Sequence, residues 1–200
     1  MGKNQSLKLP YPLILASTSK YRGALLSQLG HEFEMISPGV DEDHIKSQLK
    51  SPGDIALTLS QLKAEAVFSL NPHACVIGSD QVCSFEGAIL GKPLTKELAE
   101  KQLLTLQGKK HELLTAVTVI CPEGRESFIN HTVLRMRNLT LQEIETYVSQ
   151  DLPLDCAGSY KLESQGIKLF QEIQMSDHTA IIGLPLIELT SVLLRWGFPQ

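Results

Sequence analysis

The sequence predicts a mixed α/β sheet. Two patterns carry that reading. Short apolar strand-like runs alternate with amphipathic helices through the first half of the chain. Two long β-rich runs joined by a tight turn then follow, the mark of antiparallel pairing. Composition agrees: 200 residues, 42% apolar and 20% charged, suit one globular domain that needs no disulfide or metal staple.

The elements follow in order. Residues 13–16 read as a short buried strand. Ser19 caps a helix carrying Leu25, Leu26 and Leu29, and Gly30 stops it. Residues 33–36 look like a second strand, and the acidic run Val40-Asp41-Glu42-Asp43 like a loop. Residues 53–70 carry the helical stripe Ile55, Ala56, Leu59, Leu62, Ala66, Val67. A strand over 74–78 is expected to end at Ser79-Asp80-Gln81, and Glu86-Gly87 to turn a hairpin between 82–85 and 88–90. Thr95 caps a helix running to about Gly108. Residues 113–121 and 128–136 are strands about a Pro122-Glu123-Gly124 turn. Thr140 and Glu143 form a capping box, with Leu139 and Ile144 as its hydrophobic staple. Strand-like pieces are expected at 167–173 and 179–182, and Pro185 opens a last helix that Gly197 closes. The domain spans 1–200, with 1–12 expected as a flexible extension.

Charge and hydropathy exclude several classes. The net charge of −4 argues against a broad basic face for duplex nucleic acid. No apolar run approaches the ~20 residues of a membrane span. Cys75, Cys83, Cys121 and Cys156 show no CxxC spacing, so no zinc or redox site is expected. They read as reduced thiols of a cytoplasmic protein.

Five short segments could carry chemistry. Ser17-Thr18-Ser19-Lys20-Tyr21-Arg22 joins a strand to a helix N-terminus, where free N–H groups favour an anion. Arg22 is either a phosphate ligand or a solvated first-turn residue. The acidic run around Glu42 offers hard oxygens to a magnesium ion, or is a surface loop. Lys63 shares the apolar face of its helix and must snorkel, pair or enter a cleft. In the cleft reading, removing its charge is expected to weaken the chemistry of the cleft and spare the fold. Asp80, in Gly78-Ser79-Asp80-Gln81, is a metal ligand, a base or a turn former. Lys92 sits in the stiff turn Gly91-Lys92-Pro93. Together they are the equipment for phosphate chemistry on a metal-bound nucleotide.

Leu15-Ala16-Ser17-x-Ser19-x-x-Arg22, Val40-Asp41-Glu42, a helix-borne Lys63, Gly78-Ser79-Asp80-Gln81 and Gly91-Lys92-Pro93 resemble the Maf family of nucleoside triphosphate pyrophosphatases. The match continues through Cys156 to Lys161, Glu163, Gly166-Ile167 and Gly183-Leu184-Pro185-Leu186. The resemblance implies an elongated sheet flanked by helices with a central cleft, similar to inosine triphosphate pyrophosphatases. It implies hydrolysis between the α- and β-phosphates of a nucleoside triphosphate, a divalent cation (Mg or Mn), a cytoplasmic setting and a homodimer. Carried over by position, Ser17, Arg22, Lys63 and Lys92 bind phosphate. Glu42 and Asp80 hold the metal, and Asp80 is also the catalytic acidic residue. Many relatives have a second arginine beside the first; here Tyr21 and Gly23 flank Arg22. Tyr21, Gln81 and Glu163 occupy specificity positions and resemble the branch acting on 7-methyl-GTP. The competing readings are a dTTP/UTP pyrophosphatase of the same family and a nucleotide-binding regulator of cell division.

Overall fold

The computed structural model of the protein describes residues 9–199. Most of the extension expected at 1–12 lies outside the described residues, and at its end Leu9 and Tyr11 pack against the core. The strands are β1 (Leu13–Leu15), β2 (Phe33–Met35), β3 (Cys75–Phe85), β4 (Ala88–Leu90), β5 (Lys110–Cys121), β6 (Gly124–Met136) and β7 (Phe170–Gln174). The helices are α1 (Lys20–Leu26), α2 (Glu42–Gln48), α3 (Pro52–Phe68), α4 (Lys96–Leu106), α5 (Leu141–Asp151) and α6 (Leu186–Arg195). One mixed sheet runs β2-β1-β3-β5-β6-β7, with β4 added to β3. β1 is parallel to β2 and β3, and the remaining pairs are antiparallel.

The two-residue period of the strands sorts the core into layers. Leu13 and Leu15 of β1 pack with Leu25 and Leu26 of α1 and with Leu189 and Val192 of α6. Ile14 and Ala16 turn the other way, onto Ala64 and Val67 of α3. The α5 capping box forms as expected.

The open edge of β3 makes the site. β1 pairs only with Cys75 to Ile77 of β3, and β4 only with Cys83 to Phe85. Among the described residues, Gly78 to Val82 therefore have no strand partner on that edge, and Asp80 and Gln81 lie in the gap. Gly78 fixes how close α3 comes. A Cβ there would collide with the Ser60 carbonyl and the Ala64 amide of α3, so only glycine lets the helix press onto the strand. That approach brings Lys63 against Asp80.

Several expectations need correction. The acidic run is not a loop: Asp41 caps α2, accepting from the His44 amide, and Glu42 is its first residue. β3 does not end at Gly78-Ser79-Asp80-Gln81 but runs through it, because β5 pairs with it continuously from Val76 to Ser84. Residues 165–169 form a 3-10 turn before β7, and 180–182 form another instead of a strand. Register sets Cys75 opposite Cys121 across β3 and β5, Cα atoms 4.3 Å apart, which brings their two sulfurs into contact; Cys83 is buried and Cys156 half-buried.

Candidate active site

Two adjoining cavities open over the gap in β3. The first, about 480 Å³, is walled by the Ala16 to Arg22 segment, the Ser37 to Val40 loop, Glu42, Lys63 and Lys92. The second, about 140 Å³, is walled by Gln81, the Asp155 to Ala157 loop, Tyr160, Glu163 and the Ile181-Ile182 turn. Ser19, Tyr21, Arg22, Lys92 and Asp155 line both. The sequence-predicted residues thus surround one continuous cleft, except Asp80, which lies one layer beneath its surface.

The first cavity is built on the β1–α1 turn. Ser19 caps α1 by accepting from the Arg22 amide, and Ser17 Oγ accepts from the Ser19 amide at 3.1 Å. Ser17 is nearly buried and Ser19 half-buried. Arg22 Nε donates to the Gly183 carbonyl at 2.9 Å, which leaves the guanidinium terminus to the cavity. Burial lowers the Arg22 pKa, while Asp80 and Glu42 push it back up. Gly183 is suited to this contact: its φ is +116°, and a Cβ would meet Arg22 Nε at 3.2 Å. Its carbonyl also accepts from Ser79 Oγ, tying β3 to the same turn.

Beneath lies the charged centre. Lys63 is 5% exposed, so it does not snorkel to bulk water. Its Nζ lies 2.7 Å from Asp80 Oδ1 and 2.6 Å from Glu42 Oε1. Asp80 is equally buried, and its Oδ2 has no hydrogen-bond partner. A buried carboxylate oxygen without a donor is costly unless a cation or water completes it. The donor set suits magnesium or manganese, which commonly take one or two carboxylates and fill the remaining positions with water and substrate phosphate.

Burial pushes the Glu42 carboxyl up, but Lys63 and then Lys46 outweigh it and hold it at about 2. The folded pKa lies below the ordinary 4.5, so this stabilisation is complete above about pH 4.5 and drains away as pH falls towards 2. His111 acts in a higher window. Burial lowers its pKa to about 4, so its contribution is lost between about 6.5 and 4. Urea melts across pH should therefore show an acid-side loss below pH 4.5 that Glu42→Gln flattens. An identical slope in the variant would contradict the pairing.

The second cavity turns on Gln81. Its Nε2 donates to Thr115 Oγ1 (2.9 Å), the Ala180 carbonyl (2.8 Å) and the Ile181 carbonyl (3.0 Å). Thr115 spends its own proton on Ala180, so it can only accept from Gln81. The amide hydrogens of Gln81 are thus committed to the protein, and Oε1, an acceptor, is left to the cavity. Glu163 is exposed at the rim, and the Tyr21 ring lines both halves. Lys92 is exposed in its turn, and Gln102 ties that turn to the opposite loop through Gly91 and Ser159.

Sequence reasoning missed Asp155, Thr115 and the 180–183 carbonyls. The Gly183-Leu184-Pro185 motif flagged that turn without its role, because its carbonyls meet β3 only through tertiary contact.

The sequence matches the family described as Maf-like protein over residues 12–196. The chain belongs to the Maf family. Among its Maf relatives, one from Bdellovibrio bacteriovorus is 46% identical over 181 residues, covering 90% of this chain and 95% of that one. Another, from Bordetella pertussis, is 46% identical over 189 residues and covers 94% of each chain. A third, from Xanthomonas axonopodis, is 44% identical over 93% of this chain and 97% of that one. All three are named 7-methyl-GTP pyrophosphatase. Among solved structures, the Ham1 protein of Staphylococcus aureus shares the fold. It has a TM-score of 0.50 and 17% identity, and covers 93% of this chain and 99% of that one. No helix among the described residues is long and apolar enough to cross a membrane.

Proposed function

We propose that this Maf protein hydrolyses the α–β phosphoanhydride of 7-methyl-GTP, releasing 7-methyl-GMP and pyrophosphate. The observation that carries the reading is the polarity of the cleft: cations and helix N–H groups at one end, hydrogen-bond acceptors at the other. Ser17, the α1 N-terminus, Arg22, Lys63 and Lys92 bind the triphosphate. Asp80 and Glu42 would hold a divalent cation, which supplies charge neutralisation and acidifies a bound water. Asp80 takes the proton of the attacking water. One P–O bond forms from water, the α–β bridge breaks, and pyrophosphate carries away the negative charge that Arg22 and the lysines neutralise.

The base end supports a guanine cation. Glu163 and Gln81 Oε1 are both acceptors, and guanine offers N1–H and the 2-amine as adjacent donors. N7-methylation puts positive charge on the ring, which the Glu163 carboxylate complements and the Tyr21 face can stack on, gaining roughly 0.5–2 kcal/mol. Uracil and thymine place one N–H between two carbonyls, which face these acceptors with like dipoles. With its amide hydrogens held by the protein, Gln81 meets the base through Oε1 alone. Within the same reading the enzyme is a cytoplasmic homodimer, as the resemblance of its motifs implies.

Measuring kcat/KM for 7-methyl-GTP, GTP, UTP and dTTP tests this. At least a tenfold preference for 7-methyl-GTP over the pyrimidines is expected, for which ~1.4 kcal/mol suffices. Glu163→Ala should shrink it severalfold. UTP or dTTP as best substrate, or ratios untouched by Glu163→Ala, would contradict the specificity argument.

A further inference from the structure

We infer that Asp155 reads the ribose of the nucleotide and makes the enzyme prefer ribonucleotides to deoxyribonucleotides. This rests on the reading above only in placing phosphates at one end of the cleft and the base at the other. Five residues line both cavities, and so flank the junction where the sugar must lie. Ser19, Arg22 and Lys92 suit phosphate, and Tyr21 suits a ring. Asp155 is the one acid among them. A carboxylate repels a triphosphate, and Asp155, with 54% of its side chain exposed, has room in this wall for a donor-bearing partner beside Lys161. A vicinal 2′,3′-diol presents two O–H donors at the spacing of one carboxylate, the pairing used in dinucleotide-binding folds.

The carboxylate is also held ready. Lys161 Nζ lies 3.4 Å from its Oδ1, and Cys156 Sγ contacts the same oxygen. Lys161 is itself anchored, donating to the Asp151 and Leu152 carbonyls at the end of α5. Among the described residues no hydrogen bond reaches Oδ2, which remains for the sugar. Burial raises the Asp155 pKa, but Lys161 outweighs it, so the group is ionised at neutral pH. The neighbouring Leu94 amide holds the Leu154 carbonyl at 3.1 Å, which fixes the loop beside the Lys92 turn.

The test is the ratio of kcat/KM for ribo- over deoxyribonucleotide, using 7-methyl-GTP with its 2′-deoxy form and UTP with dUTP. Binding of GMP and dGMP by calorimetry gives the same ratio without turnover. The intact protein should favour the ribo form at least tenfold in both readouts, the lower end of what one hydrogen bond to a charged group contributes. Asp155→Ala should bring the ratio below twofold, with the change carried mostly by KM. Asp155→Asn, which keeps the shape and one acceptor, should fall between. Lys161→Met removes the tether but not the carboxylate, and should keep most of the preference. Absence of a ribo preference in the intact protein would overturn the inference. So would a ratio that survives Asp155→Ala, or one lost equally in Lys161→Met. If UTP proves the better substrate, the guanine reading falls while the UTP/dUTP ratio still decides the role of Asp155.

Discussion

Asp80→Asn is expected to lose 10²–10⁴ in kcat, on the order of what a positioned base or metal ligand contributes. The change is nearly isosteric. Asparagine can still accept from Lys63 through its carbonyl, so packing against α3 survives. It cannot take the proton of water, and it is a poor ligand for magnesium. The orphan Oδ2 marks the atom at stake, since protein contacts do not explain why it is buried and bare. Circular dichroism and a thermal melt should show the folded state retained, and steady-state kinetics should show the loss in kcat with KM little changed. A variant with near-normal turnover would remove Asp80 from the chemistry.

Lys63→Met should damage both activity and stability. Lys63 neutralises two carboxylates at once, one of them as buried as itself. Removing one partner of a buried pair leaves an uncompensated charge, a loss of about 3–5 kcal/mol. For a chain of this size that lowers Tm by roughly 6–20 °C, at about 2–4 °C per kcal/mol. The expectation from sequence that this change spares the fold is thereby revised, because the stem is packed as foreseen but the ammonium is a structural counterion too. The double variant Lys63→Met, Asp80→Asn should regain much of the lost stability while remaining inactive. A single variant that melts with the unmodified protein would show that the pair is not coupled.

The fold was legible where local chemistry decides it. Caps at Ser19, Thr95 and Thr140, the Glu86-Gly87 hairpin and the long β5–β6 pair all follow from residue type and spacing. Tertiary contact decided the rest. β3 continues through Gly78-Ser79-Asp80-Gln81 because β5 templates it, and no local signal shows that partner. Residues 180–182 have strand-like composition, yet Asp177 and Thr179 bend them: the Asp177 carboxylate accepts from the Thr179 amide and hydroxyl and from the Ile187 amide. The approach of Cys75 to Cys121 is a register effect, visible only once β3 and β5 are aligned. In the site, residue types foretold the phosphate end, since serines, arginine and lysines at a helix start have a direct chemical meaning. The base end depends on which atom of Gln81 faces the cavity, and that follows from Thr115, Ala180 and Ile181, each far away in sequence.

The central claim is cleavage at the α–β bridge of a 7-methylguanine nucleotide. Phosphorus NMR of 7-methyl-GTP incubated with the protein and magnesium tests it most directly. The account predicts pyrophosphate and 7-methyl-GMP rising in equal amounts, with no 7-methyl-GDP and no early inorganic phosphate. Stepwise release of inorganic phosphate through 7-methyl-GDP, or an unchanged spectrum beside active hydrolysis of UTP, would contradict it.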